Sequence, residues 1–476
     1  ALAHLSRSRS GARRCLVAML PVLARPLTLG AGSALLKKRV AGPARAAMRR
    51  QLISALAAEV HRIKPDKFPV NTVPLTKLDV SMMHFPGVTA HNFFRGSLDV
   101  EKLKASLARV VANNPSLAGR IRSADDGGLE VHYDNSSGCH FYTRALAEDM
   151  EAQLEDFDSA KIAQQPLDWE ALVEELGIAN TGPGPLQIDK DAPLLTATYL
   201  QGKRISTVSL SVSHLLGDGA TKMNVLKLWD QEFAAPNSTT SLSGREAVEA
   251  IDAHVKSAYS AWSQAAMEAF YPHIYEKHVL ARDLKQYNMV VVRIKEETMK
   301  NIKAAEAKHT EPGAVFSGQD ALIAWLGNVL GAKWFAFTVD LRGRAAGLKK
   351  DAMGNAFMTW YGTPDRGPGQ FSAMDVRNTI NTQGRDGALA LEEALFSGLE
   401  DSIDVNSWVK LQHQPQFGGT FIKQVRAIGS GALPFLFRLN YHVVYQPQKG
   451  EYVMYHFGLR NDEAARLQLA WRKLGE

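Results

Sequence analysis

The clearest hydrophobic pattern in the chain starts at Asp99. Leu103, Leu107, Val110 and Val111 recur at helical spacing, and Asp99 stands where an N-cap belongs. The pattern predicts a helix that ends before Pro115. Order is expected from near Val60, and short strands are expected over 120–122 and 129–133. Residues 144–176 are acidic and helix-prone, which reads as a solvated face. Two apolar runs, 194–200 and 205–212, flank Gln201-Gly202-Lys203-Arg204 and predict a β-hairpin. The second run passes through Ser213-His214-Leu215-Leu216-Gly217-Asp218-Gly219 into a helix carrying Met223, Val225, Leu226, Leu228 and Trp229. Residues 235–246 have linker composition. The second half resumes with a strand at 289–294, a Lys/Glu-rich helix to Lys308, and a helix capped by Ser317 that runs to Val329. A strand at 335–341 follows, then strands near 439–445 and 452–457, and a C-terminal helix. Strands and helices mix in both halves without regular βαβ spacing. That favours the α+β class with a sheet in each half.

Composition adds little to this picture, but charge adds a boundary. The chain has 476 residues, ordinary hydrophobic content and a net charge of +6. Eleven of its 55 basic residues and none of its 49 acidic ones fall in residues 1–58, so the rest of the chain carries a net −5. Nothing in that body suggests a nucleic-acid groove. The Arg/Ala/Leu-rich leader has the composition of an organelle transit peptide. It reads equally as a tail preceding a start at Met48. In either case it is expected to be dispensable for catalysis. Its longest apolar run, 15–24, is too short to span a bilayer, which needs about 20 residues. Two cysteines, Cys15 and Cys139, suit a reducing compartment and exclude a disulfide framework. The expected location is the cytoplasm, or a plastid or mitochondrion if the leader is a working signal.

One segment carries recognisable chemistry, His214-x-x-x-Asp218-Gly219. It joins the end of an apolar strand to the start of a helix, where a side chain can project into a cleft. A neutral histidine there can take a proton from a hydroxyl or amine near neutral pH. Gly219 would permit a tight turn after the acid. Taken alone, a His and an Asp four residues apart also fit a satisfied structural histidine. Other templates fit less well. Gly429-Ser430-Gly431 lacks the spacing of a nucleophile elbow. Cys139 and His140 are adjacent and point apart, Gly30 and Gly32 follow no strand, and His273 and His278 lack zinc-ligand spacing.

The surroundings extend the segment. Residues 211–219 resemble the His-x-x-x-Asp-Gly motif of the BAHD acyltransferases, the CoA-dependent family related to chloramphenicol acetyltransferase. Four further segments resemble that family in order: Leu75–Asp79; the helix from Leu103 ending in Asn-Pro-Ser-Leu-Ala-Gly-Arg at Arg120; Ser317-Gly-Gln-Asp-Ala-Leu-Ile-Ala-Trp325; and Val339-Asp-Leu-Arg342-Gly-Arg with Gly354-Asn355-Ala356. One departure stands out. Where many members carry Asp-Phe-Gly-Trp-Gly, this chain reads Gln416-Phe417-Gly418-Gly419, downstream of Asn406-Ser407-Trp408.

The resemblance implies two similar-sized chloramphenicol acetyltransferase-like domains, each a mixed sheet with flanking helices, and a channel between them. The expected organisation is a leader at 1–58, an N-terminal domain at 60–234, a linker and crossover at 235–285, and a C-terminal domain at 286–476. His214 would be the general base in the channel. Asp218 would turn away from the channel and pair with an arginine, for which Arg342 is the candidate, and Gly219 would support the loop. Asn355 and Trp408 would be packing residues, and Phe417 and Gly418 loop structure. Acyl-CoA would be a co-substrate, with no bound cofactor and no metal. The acceptor would be a small alcohol or amine, and the chain a monomer with no transmembrane segment. Two rivals share the motif. A peptide-synthetase condensation domain or wax-ester synthase usually has a second His where this chain has Ser213. A non-catalytic relative would keep the fold and act as a partner protein.

Overall fold

The protein is seen here in a computed structural model that describes residues 59–64, 70–156, 176–238, 241–242, 288–345, 347–382, 401–425, 440–448 and 450–475. The leader, most of the 235–285 linker, the 157–175 part of the acidic stretch, Gly429–Gly431, His273 and His278 lie outside these residues. By chain contacts, residues 50–476 form one compact unit.

In chain order the strands are β1 (Glu59–Ile63), β2 (Asn71–Pro74), β3 (Val88–Arg95), β4 (Arg120–Ser123), β5 (Leu129–Tyr133), β6 (Cys139–Ala145), β7 (Leu195–Gln201), β8 (Ile205–Val212), β9 (Asn288–Lys295), β10 (Trp334–Asp340), β11 (Phe357–Gly362), β12 (Ser402–Ser407), β13 (Thr420–Val425), β14 (Tyr441–Gln448) and β15 (Glu451–Leu459). The helices are α1 (Lys77–Ser81), α2 (Val100–Asn113), α3 (Glu148–Asp156), α4 (Gly219–Ala234), α5 (Glu296–Ala307), α6 (Gly318–Leu330), α7 (Ala373–Asn381) and α8 (Asn461–Lys473). One six-stranded sheet runs β1-β6-β7-β8-β3-β13 and a second runs β11-β10-β12-β14-β15-β9, with β2-β5-β4 as a small third sheet. Both large sheets mix parallel and antiparallel pairs, so the α+β class and the sheet in each half stand.

The helix read from Asp99 is α2. The Asp99 carboxylate accepts from Lys102 N at 3.0 Å, and Leu103, Leu107, Val110 and Val111 are buried against the first sheet. The predicted hairpin is β7–β8, in antiparallel register from Leu195↔Val212 to Leu200↔Thr207. The acidic helix α3 exposes Glu148, Asp149 and Glu155, as a solvated face should, with one exception. Glu151 is buried, and its carboxylate accepts from Lys203 N at 2.7 Å and Arg204 N at 2.9 Å. The acid closes the hairpin turn, so its backbone partners offset the cost of burying its charge. Strand β13 belongs by sequence to the second half, yet it pairs antiparallel with β3 at the edge of the first sheet. An apolar cluster joins Phe93, Leu200 and Ile205 of the first sheet to Val443, Tyr445, Val453, Tyr455 and Phe457 of the second. Burial of this apolar area fixes the second sheet against the first. No described helix is long and apolar enough to cross a membrane.

Candidate active site

Strand β8 is buried along its whole length. It ends at Val212, and the chain turns through residues 213–218 before α4 begins. Ser213 N is held by Leu194 O at 2.8 Å, and the N–H groups of Leu216 and Gly217 close back onto Ser213 O. The Ser213 hydroxyl is buried and donates to Gln187 Oε1 at 2.6 Å. The position where the rival motif has a second histidine therefore faces protein. His214 follows, only partly buried, with its ring 5.6 Å from that of Phe85. Its Nδ1 lies 3.2 Å from Asn355 Oδ1. Burial lowers the His214 pKa below the ordinary 6.5. The charge of Asp218, the histidine's own backbone carbonyl, Asn355 and Asp79 oppose that shift without cancelling it. The shift favours the neutral ring near pH 7.

Asp218 faces the other way. One oxygen caps α4 by accepting from Thr221 N at 2.9 Å, and the other accepts from Ala356 N at 3.0 Å. Arg342 grips both oxygens in a two-pronged pair at 2.9 Å each. The rest of the guanidinium reaches Ala352 O, Gly354 O, Thr221 Oγ1 and Asp340 Oδ1 at 2.7–3.0 Å. Arg342 is buried, unlike an ordinary exposed strand arginine. Burial works against the Asp218 charge, but attraction to Arg342 and the hydrogen bonds outweigh it and hold the carboxyl below its usual range. Gly354 completes the cage. Its φ of 114° is open only to glycine, and its N–H donates to the same Thr221 hydroxyl that donates to its carbonyl.

Two expectations need correction. Gly219 does not have a positive φ, so it is not there to make a turn. A Cβ at this position would come within 3.2 Å of Leu411 Cδ1, so a larger residue would require that side chain to shift by a few tenths of an ångström. Asn355 is not merely a packing residue. It is buried, its Oδ1 meets the His214 ring, and its Nδ2 donates to His214 O at 2.7 Å and to Asp79 Oδ1 at 2.8 Å. Asp79 is the site residue that the sequence reading missed. It lies in α1, where it forms a capping box with Thr76. Capping accounts for one of its oxygens, and that signal hid the task of the other.

The divergent Gln416–Gly419 loop is structural. Gln416 N and Phe417 N both donate to Asp230 Oδ1 of α4, and His413 Nε2 lies 3.0 Å from Asp230 Oδ2. Phe417 is buried, with its ring 4.8 Å from that of Trp229 and 5.6 Å from that of Phe233. Trp408 packs beside the cluster that joins the two sheets. Among the described residues no group of three or more His, Cys, Asp or Glu is placed to hold a metal ion.

The sequence and the fold are both similar to known proteins. Residues 57–367 match the Transferase family. No curated protein matches the chain. Among solved structures, TRI101 of F. graminearum complexed with ethyl coenzyme A is similar at a TM-score of 0.60 and 14% identity, over 85% of this chain and 99% of that one. Vinorine synthase is similar at 0.60 and 16%, over 87% and 97%. A nonribosomal peptide synthetase, FmoA3, is similar at 0.53 and 16%, over 88% of this chain and 47% of that one. The family match spans well over half of the sequence, and the fold agrees over most of it: the chain belongs to the Transferase family, the BAHD-type acyltransferases.

Proposed function

We propose that the protein transfers an acyl group from acyl-CoA to a hydroxyl or amine acceptor, with the His214 imidazole as general base. The observation that carries this is the contrast within the motif. His214 is only partly buried and has a partner at its Nδ1, whereas Asp218 spends both oxygens on Arg342, Thr221 and Ala356. The base therefore works without a proton relay through Asp218. The imidazole removes the acceptor proton as the acceptor oxygen or nitrogen attacks the thioester carbonyl. The tetrahedral intermediate collapses, the C–S bond breaks, and the imidazolium returns its proton to the departing CoA sulfur. Nothing is left on the enzyme, so no serine or cysteine nucleophile is needed. General-base action supplies ~10²–10⁴-fold, and the remainder must come from positioning the two substrates and stabilising the oxyanion.

The test is a matrix of acyl-CoA donors against alcohol and amine acceptors, read as acceptor-dependent release of free thiol. Turnover of at least one pair is expected. A protein that binds acyl-CoA yet releases no thiol with any acceptor would be the non-catalytic relative instead. The pH profile is a second check. Because the His214 pKa is lowered from 6.5, kcat/KM should be flat above that value and fall as pH drops below it. An acid limb centred above pH 7 would exclude His214 as the titrating base.

A further inference from the structure

We infer that Asn355, held in orientation by Asp79, is a positioning residue that places the imidazole hydrogen of His214 on Nδ1 and leaves the Nε2 lone pair to act as the base. This rests on the reading of His214 as the base. The argument is one of donors and acceptors. The Asn355 amide offers two hydrogens and one oxygen. Its nitrogen faces two groups that can only accept, the Asp79 carboxylate at 2.8 Å and the His214 carbonyl at 2.7 Å. Turning the amide over would set oxygen against both of them. The network therefore fixes the amide, and its oxygen is what meets His214 Nδ1 at 3.2 Å. An oxygen acceptor there demands a hydrogen on Nδ1.

Asp79 is well anchored for this task. Its Oδ2 accepts from Thr76 N at 2.9 Å, and the Oδ1 that meets Asn355 Nδ2 also accepts from Asn355 N at 3.3 Å. The amide thus stands between a fixed carboxylate and the ring. When Nε2 takes the acceptor proton, the imidazolium keeps its Nδ1–H bond to an amide polarised by Asp79. The charge formed in the transition state is then met by a partner already in place. In other enzymes, reversing the tautomer of a catalytic histidine by an acid-to-amide change costs up to ~10⁴-fold in kcat.

Nitrogen-15 long-range correlation spectra of the full chain labelled at histidine test this directly, with the His214 signals identified by their loss in His214→Gln. The expected result above pH 7 is a protonated Nδ1 and a bare Nε2. Asn355→Leu should lose this preference and lower kcat by about tenfold or more, out of the ~10²–10⁴-fold a general base supplies, with little change in KM for acyl-CoA. Asn355→Asp keeps an oxygen at Nδ1 and can share one proton with Asp79. It should retain kcat within a few-fold and move the acid limb of kcat/KM to higher pH, since a carboxylate oxygen beside Nδ1 favours the charged ring. A purely structural role would lower both variants alike and leave the limb in place. A wild-type ring with its hydrogen on Nε2, or an Asn355→Asp enzyme as impaired as Asn355→Leu with an unshifted limb, would overturn the inference. If the spectrum is as expected but His214→Ala stays active, the general-base reading fails and the proton placement stands.

Discussion

His214→Ala should lower kcat by ~10²-fold or more while leaving the unfolding midpoint close to that of the parent protein. The rate effect follows from the absence of a substitute. Asp218 is committed to Arg342 and two backbone N–H groups, and Asp79 is hydrogen-bonded to Asn355, which stands between it and the ring. The small stability effect follows from the environment. The ring is partly buried and touches Phe85 and Asn355. Asn355 Nδ2 keeps its bonds to Asp79 and to the residue 214 carbonyl after truncation, and only its Oδ1 loses the His214 ring as a partner. Single-turnover acylation with the purified variant gives the number. A variant that keeps more than about a tenth of wild-type kcat would show that some other group takes the proton, because even the low end of general-base catalysis is ~10²-fold.

Local features were legible in the sequence and long-range pairings were not. Helix α2 announced itself through a cap and a 3.6-residue stripe, and β7–β8 through two apolar runs around a glycine turn; both signals lie within a few dozen residues. Strand β3 was missed because seven of its eight residues are fully or partly buried, which removes the alternation that marks a half-exposed strand. Strand β13 was missed because its reason for being a strand is β3, far back in the chain. The same limit applies at the site. His214 and Asp218 share a strand end and a helix start, and the family pattern points to both. Asp79 and Asn355 lie 276 positions apart. Each has a sufficient local reading, a helix cap for one and the residue after a glycine turn for the other, and neither reading mentions a histidine. Arg342 was reachable only through the resemblance, since nothing near it in sequence says that its guanidinium is buried.

The largest stability effect is expected at the ion pair. Arg342→Ala leaves the Asp218 carboxylate buried with only backbone donors, and should cost about 3–5 kcal/mol of unfolding free energy. Asp218→Ala should cost less, because the buried guanidinium keeps Asp340 Oδ1 and its acceptors Ala352 O, Gly354 O and Thr221 Oγ1. The two losses should not add. Once one partner is gone, removing the other relieves a desolvated charge, so a double-mutant cycle should show coupling at the upper end of the ~0.5–3 kcal/mol seen for contacting residues. Acid should act as a partial mimic. The Asp218 pKa is held below 3.8 in the folded protein, so its contribution is intact above that value and is lost as pH falls through the lower folded one. Activity should fall along with stability for a geometric reason. Arg342 and Asp218 together bind Ala352 O, Gly354 O and Ala356 N, which fixes the backbone on both sides of Asn355. Loosening that segment frees the amide that meets the His214 ring. Urea unfolding of the two single variants and the double variant, with thiol release measured on the fraction that remains folded, would separate the two effects. Zero coupling between positions 218 and 342 would remove the pair from the architecture of the site.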